Sequence, residues 1–206
     1  MKPQAILCDR DGTLIEDCHF LSRPEQIQWI PGVLETLKHL KQKGVKVLVV
    51  SNQSGVARGY FDTAAVEAVH AKLLWDAEQV SASMPSAGAA IANFYYCPHH
   101  PKGEVVGYSY ACDCRKPEPG MFLQAIRDHN LNPAHCWAIG DRLRDLEPGL
   151  QLGMKAFLVQ TGSGLEAQQE LSKRPYAKLV TVISSLSEIL SLVQSQDLRR
   201  IDSQFH

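Results

Sequence analysis

Ala5-Ile6-Leu7-Cys8-Asp9-Arg10-Asp11-Gly12-Thr13 is a short apolar run that breaks abruptly into charge. The first four residues read as a buried strand, and two carboxylates follow it at once. At positions i and i+2 just past a strand, Asp9 and Asp11 can point into one crevice. One can then attack while the other donates or takes a proton, provided their surroundings hold them in different protonation states. Gly12 permits the tight turn this needs. A solvated acidic turn that merely ends a strand has the same sequence, and on this segment alone the two readings weigh equally.

Outward from it, short β-rich runs alternate with longer amphipathic ones. Residues 31–43 read as a helix opened by Pro31-Gly32 and ended by Gly44, with Val33, Leu34, Leu37 and Leu40 at helical spacing. An apolar strand follows at 45–50, then a helix capped by Asp62 or Thr63 and running to about 80, with Val66, Val69, Leu73 and Leu74 inward. Residues 81–90 read as a small-residue loop and 91–96 as a strand, while 97–116 is an ordered loop that needs a staple. A helix at 119–129, a strand at 136–139 ending in Gly140-Asp141, a weaker helix at 142–152 interrupted by Pro148-Gly149, strands at 156–159 and 179–183 and a closing helix at 185–193 complete the pattern. The tail after about 194 is polar and is expected to fray. Alternating strands and helices imply one α/β domain over 1–206 with a largely parallel sheet. Ligands of such sheets bind beyond the carboxyl ends of the strands, where Asp9 and Asp11, Ser51-Asn52 and Asp141 would meet.

With 206 residues the chain suits one full core. Its net charge of −1 gives no reason to expect nucleic acid or an anionic membrane as partner, so basic groups must act locally. No apolar run approaches the roughly 20 residues of a spanning helix, and the apolar start is too short for a signal peptide. A cytoplasmic location is expected, and a reducing compartment argues against a disulfide framework for the six cysteines. Cys8 and Cys136 lie in strand-like runs and read as buried. Cys97-Pro98-His99 and Cys112-Asp113-Cys114 instead gather three thiols and an imidazole around a loop of 12 residues. That set suits a closed tetrahedral zinc site, although one residue between ligands is shorter than finger spacing, and reduced, partly buried cysteines are the plainer alternative. His100 could replace His99, which is favoured.

Asp9-x-Asp11-Gly12-Thr13, Ser51-Asn52 after a strand, Lys116 at the head of a helix and Gly140-Asp141-Arg142-Leu143-Arg144-Asp145 resemble, in order, the four signatures of the haloacid dehalogenase (HAD) superfamily. The resemblance implies a Rossmann-like fold and a magnesium-dependent phosphatase. Asp9 would form an aspartyl-phosphate, and Asp11 would protonate the leaving oxygen and then activate water. Ser51 and Asn52 would hold phosphoryl oxygens, Lys116 would offset negative charge, and Asp141 would bind Mg²⁺ with Asp9 and the carbonyl of Asp11. Asp145 would support Lys116 or lie just outside the metal. The chemistry stands without the family: a carboxylate approaching a phosphate dianion is repelled, and a divalent ion and a lysine remove that obstacle.

Cys97-Pro98-His99-His100-Pro101, Cys112-Asp113-Cys114-Arg115-Lys116-Pro117 and Ser51-Asn52-Gln53-Ser54-Gly55-Val56-Ala57-Arg58-Gly59 are similar to the D-glycero-D-manno-heptose 1,7-bisphosphate phosphatases, over about 5–162. That resemblance implies removal of the 7-phosphate on the route to nucleotide-activated heptose, a structural Zn²⁺ on Cys97, His99, Cys112 and Cys114, and substrate contacts from Asp17, Cys18, His19, Phe20, Gln53, Ser54, Arg115 and Arg142. Arg115 would hold the second phosphate through two parallel hydrogen bonds, with Arg58 a weaker candidate. Arg142 stands where that family is expected to carry lysine, Ser51 where threonine is common, and the segment from Asp17 to Phe20 departs from the expected pattern; these bear on which sugar and which anomer is preferred. Histidinol-phosphate phosphatase, an inactive zinc-stapled binding module and a phosphotransferase are the alternatives. No large cap domain is evident, and a monomer is expected. Trp29, Trp75 and Trp137 read as packing, His39, His70, His129, His135 and His206 as surface or satisfied, and Gly162-Ser163-Gly164 as a turn.

Overall fold

Neighbouring side chains of a strand face opposite sides of a sheet, and in β1 (Ala5–Cys8) both sides are apolar. Ile6 and Cys8 join one core cluster, Ala5 and Leu7 another. A strand buried on both sides belongs in the middle of a helix-covered parallel sheet. The computed structural model, which describes residues 2–81 and 88–193, has it there. β2 (Lys46–Asn52), β3 (Asn93–Cys97), β4 (Cys136–Gly140), β5 (Lys155–Val159) and β6 (Val180–Ile183) join β1 in the order β3-β2-β1-β4-β5-β6, and every neighbouring pair is parallel. The chain builds outward from β1 to β3 and then returns to β4 on the other side, so the order reverses between β1 and β4. That reversal opens a crevice at the carboxyl ends of the two strands.

Helices cover both faces. α1 (Val33–Gln42) and α2 (Thr63–Ser81) bury Val33, Leu37, Leu40, Val69 and Leu73 against Ile6, Val47, Val49, Trp137 and Ile139. On the opposite face α3 (Gly120–His129) packs Met121, Phe122 and Ala125 on Leu7, Leu48 and Val50. Beside it, α4 (Leu143–Gln151) and α5 (Gly164–Leu171) cover Ala156 and Leu158. Asp62 is the cap of α2, accepting from the Ala65 N–H at 2.9 Å. Among the described residues there is no large cap domain, and no helix is long and apolar enough to cross a membrane.

One expectation changes, one helix was not foreseen, and the closing helix begins later than expected. The helix after β4 is not interrupted: Pro148 lies inside α4, and Gly149 lets that helix sit on β4, because a Cβ there would come within 2.3 Å of the Ala138 Cβ. α5 carries no strong apolar signal, since only Gly164, Ala167 and Leu171 are buried among polar residues, yet it forms. Helical residues reach 193 after a 3₁₀ turn at Leu186–Glu188. Most of the loop expected at 81–90, the tail after 194 and His206 lie outside the described residues. Trp137 packs against Phe157 as expected, whereas Trp75 is 57% exposed beneath the Lys72 ammonium.

Candidate active site

Because β2, β1 and β4 are adjacent and parallel, the residues at their carboxyl ends are neighbours. Asp9 continues β1, Ser51 and Asn52 end β2, and Asp141 continues β4. Lys116 enters from the loop before α3 and is 2% exposed. Its Nζ lies 3.0 Å from Asp9 Oδ1 and 2.7 Å from Asp145 Oδ1, and donates to the Val50 carbonyl at 2.6 Å. Burial opposes the Lys116 charge, but the carboxylates of Asp145 and Asp9 outweigh burial and raise its pKa. Asn52 fixes the backbone of this lysine from both sides: its Nδ2 donates to the Lys116 carbonyl at 3.0 Å and its Oδ1 accepts from the Lys116 N–H at 3.1 Å. Asp145 also accepts from the Arg142 N–H at 3.0 Å, capping α4 while it holds Lys116.

Asp9, Asp141 and Asp145 bring carboxylate oxygens within 4.8 Å of one another. Asp141 is fully buried. Its Oδ2 accepts from the Ser163 N–H at 2.8 Å, while its Oδ1 has no hydrogen-bond partner. Burial, and then the charges of Asp9 and Asp145, push its carboxyl up to about 7. Anions crowded like this, one with an orphaned buried oxygen, suit a hard cation that takes oxygen ligands. Gly12 (φ 77°) and Gly162 (φ 57°) close over Asp141, and a Cβ on either would fall 2.4 Å from its Oδ2.

In front of this cluster is a cleft of about 210 Å³ that brings together Asp9, Asp11, Asp17, His19, Phe20, Ser51, Asn52, Gln53, Ser54 and Arg142. Arg142 Nη2 holds Asp17 Oδ2 at 3.2 Å. His19 and Phe20 adopt positive φ (47° and 60°), and Phe20 stands edge-on to Tyr60 with ring centres 4.6 Å apart. Cys18 does not line the cleft; its Sγ faces the Gln26 carbonyl. Arg115 lines a neighbouring hollow at the cysteine loop and donates to the His99 carbonyl at 3.2 Å. Arg144, which the sequence reading did not single out, lines the cleft. Burial, then the charges of Arg144 and Arg58, lower the pKa of Arg115. None of these three arginines is ion-paired to a carboxylate among the described residues, and the Nε atoms of Arg58 and Arg144 are buried without partners. Such a group is suited to an anion.

Cys97, His99, Cys112 and Cys114 form a second cluster. Cys97 Sγ lies 3.5 Å from Cys112 Sγ, Cys112 Sγ 3.1 Å from Cys114 Sγ, and His99 Nδ1 3.3 Å from Cys114 Sγ. A tetrahedron with zinc–sulfur bonds of about 2.3 Å has sulfur–sulfur edges of ~3.8 Å, close to this spacing. Tyr110 Oη engages His99 Nε2 at 2.7 Å, leaving Nδ1 towards the thiols. His100 meets Lys102 N and Arg58 Nη2 instead.

Two family models match: one described as polynucleotide kinase 3 phosphatase over residues 4–142, and one described as HAD-hydrolase-like over residues 113–189. The D-glycero-beta-D-manno-heptose-1,7-bisphosphate 7-phosphatase of Haemophilus ducreyi is 37% identical over 94% of this chain and 100% of its own. Its counterpart in Yersinia pestis is 34% identical over 93% of this chain and 96% of its own. The crystal structure of D,D-heptose 1,7-bisphosphate phosphatase from B. bronchiseptica, complexed with magnesium and phosphate, superposes with a TM-score of 0.79 at 32% identity, over 95% of this chain and 99% of that one.

Proposed function

The chain belongs to the HAD phosphatases, within the D-glycero-beta-D-manno-heptose-1,7-bisphosphate 7-phosphatase family, and from that premise we propose that it removes the 7-phosphate of heptose 1,7-bisphosphate and leaves the 1-phosphate. The observation that carries this is a full-length likeness to enzymes of that name, combined with a cleft in which Asp9, Asp11, Ser51 and Arg142 stand together.

In this reading the Asp9 carboxylate attacks phosphorus, the bond from phosphorus to the C7 oxygen breaks, and Asp11 delivers a proton to that oxygen. Asp11 then takes a proton from water, which attacks the aspartyl-phosphate and releases Asp9. Ser51 and the N–H groups beside it hold the phosphoryl oxygens. Lys116, locked between Asp9 and Asp145, keeps a positive charge at the nucleophile throughout. Asp9, Asp141 and the Asp11 carbonyl would hold Mg²⁺; when bound, that ion neutralises charge between nucleophile and phosphate. Cys97, His99, Cys112 and Cys114 would hold a structural Zn²⁺ that shapes the loop carrying Arg115 and Lys116.

Arg115, with Arg144 and Arg58, would receive the 1-phosphate. That cluster favours a substrate with a second anion over histidinol phosphate, whose amine would meet like charge. The four chemical groups Asp9, Asp11, Lys116 and Asp141, all in place, oppose an inactive binding module. The enzyme would work as a cytoplasmic monomer of one uncapped domain. The test is phosphate release with Mg²⁺ from both anomers of heptose 1,7-bisphosphate and from histidinol phosphate, with Asp9→Asn as blank. The beta anomer is expected to be preferred and the blank inactive; preference for histidinol phosphate would overturn the substrate while keeping the chemistry.

A further inference from the structure

Arg10 sits between the two catalytic carboxylates in sequence, and a charge in that place ordinarily points to water. Here it is 1% exposed. Its Nε meets Asp11 Oδ1 at 3.1 Å and Oδ2 at 3.2 Å, and its Nη2 meets Asp11 Oδ2 at 2.9 Å and Gln53 Oε1 at 3.0 Å. Gln53 is buried as well. Its Nε2 donates to Asp11 Oδ2 at 3.1 Å and to Ser51 Oγ at 2.7 Å. Burying a guanidinium is costly unless it is paired and hydrogen-bonded; Nη1 is buried without a partner, and the Nε and Nη2 edge is given to Gln53 and to the side chain that must move a proton.

We infer that Arg10 and Gln53 are positioning residues for proton transfer: together they fix the Asp11 carboxylate and the direction of the Ser51 hydroxyl. The inference rests on the reading of Asp11 as proton donor given above. Arg10 can only donate, so its contact makes the Gln53 Oε1 an acceptor and prevents the amide from flipping. The Gln53 NH₂ group is thereby committed to Asp11 and Ser51. Since that group donates to Ser51 Oγ, the Ser51 proton is free to point at a phosphoryl oxygen. On Asp11, three donors crowd Oδ2 and one reaches Oδ1, so Oδ1 is the less encumbered oxygen and the one that, once protonated, can pass its proton to the leaving oxygen. Gln53 thus binds no substrate through its amide; it joins the phosphate-holding hydroxyl to the proton donor in one rigid unit.

The experiment is rapid-mixing measurement of the first chemical step with two substrates, a sugar phosphate that the wild type hydrolyses and p-nitrophenyl phosphate. The sugar alkoxide needs a proton to leave and p-nitrophenolate does not. Asp11→Asn sets the reference. Arg10→Lys and Gln53→Met are the test variants, the second guarding against a folding defect in the first, and thermal melts accompany both. For the sugar phosphate the step is expected to slow by about 100-fold in each variant, and for p-nitrophenyl phosphate by no more than about tenfold, the part owed to Ser51. Equal losses on both substrates, or no loss on either, would overturn the inference. If Asp11→Asn itself fails to discriminate, the proton-donor reading falls and the inference with it. Absence of heptose bisphosphate turnover, with another sugar phosphate hydrolysed, overturns the substrate alone.

Discussion

The two clusters that suit metal ions are built in opposite ways. Asp9 and Asp141 extend from β1 and β4, adjacent strands of the sheet, and Asp145 caps α4, which is packed on β4. The scaffold holds these carboxylates together against their repulsion, and an ion would relieve a charge problem without having to make the structure. The cysteine cluster lies at the two ends of a loop that contributes little to the core: Cys97 is buried at the end of β3, but Cys112 and Cys114 only pack against it. There an ion would supply the fold. The same element type, a divalent cation, is therefore expected to act on activity in one place and on structure in the other.

The largest effect should come from the sheet-borne cluster. Asp9→Asn is expected to lower turnover by at least about 1,000-fold, since it removes the proposed nucleophile, with the melting temperature unchanged or raised because one of the crowded charges is gone; phosphate release and a thermal melt check both. Leaving magnesium out of the buffer, with zinc kept in place, should likewise abolish turnover while leaving the melt nearly unmoved. The loop cluster should behave differently. Cys112→Ala is expected to strip zinc, lower the melting temperature and reduce turnover by roughly 10- to 100-fold through displacement of Arg115 and Lys116, measured by metal content, melt and assay. Comparable melting behaviour on loss of either ion would break the contrast.

Smaller effects sharpen it. Arg144→Gln should raise KM for the bisphosphate about tenfold, as loss of one charged contact does, and leave a sugar monophosphate untouched. The last concerns stability alone and leaves chemistry untouched. His70, on α2, stacks on Phe94 with ring centres 4.4 Å apart, and neither ring nitrogen has a partner. Burial, then the charge of Arg10, depress its pKa to about 3. The unfolded chain binds this proton near pH 6.5, so the contribution is complete above that pH and is lost as pH falls towards about 3. Stability should drop by about 1.4 kcal/mol per pH unit across that window, and His70→Phe should flatten the slope in denaturant melts at pH 5 and 7.

Much of this was legible because it follows from position along strands. Asp9, Asp11, Ser51, Asn52 and Asp141 each come at the end of an apolar run, and parallel strands bring such ends together. The thiols and His99 were legible because they cluster in a stretch with no periodicity. What escaped the reading depends on contacts between distant segments. Arg10 looks like any charged residue until its burial is seen, and Asn52 holds a lysine backbone 64 residues away. Ser163 reads as a turn residue, which it is, but its N–H holds the Asp141 carboxylate. His70 was expected at the surface or satisfied and is neither, since an isolated histidine in an amphipathic helix gives no sign of what covers it. Pro148-Gly149 read as a break because the sequence does not reveal how closely α4 approaches β4.

The central claim is that Asp9 becomes phosphorylated by heptose 1,7-bisphosphate. Rapid quenching of the wild-type enzyme during turnover, followed by peptide mapping, tests it directly. A phosphoryl group on the peptide containing Asp9, absent from Asp9→Asn, is the predicted result. Phosphate release with no phosphorylated peptide, or with the group on another residue, would contradict it.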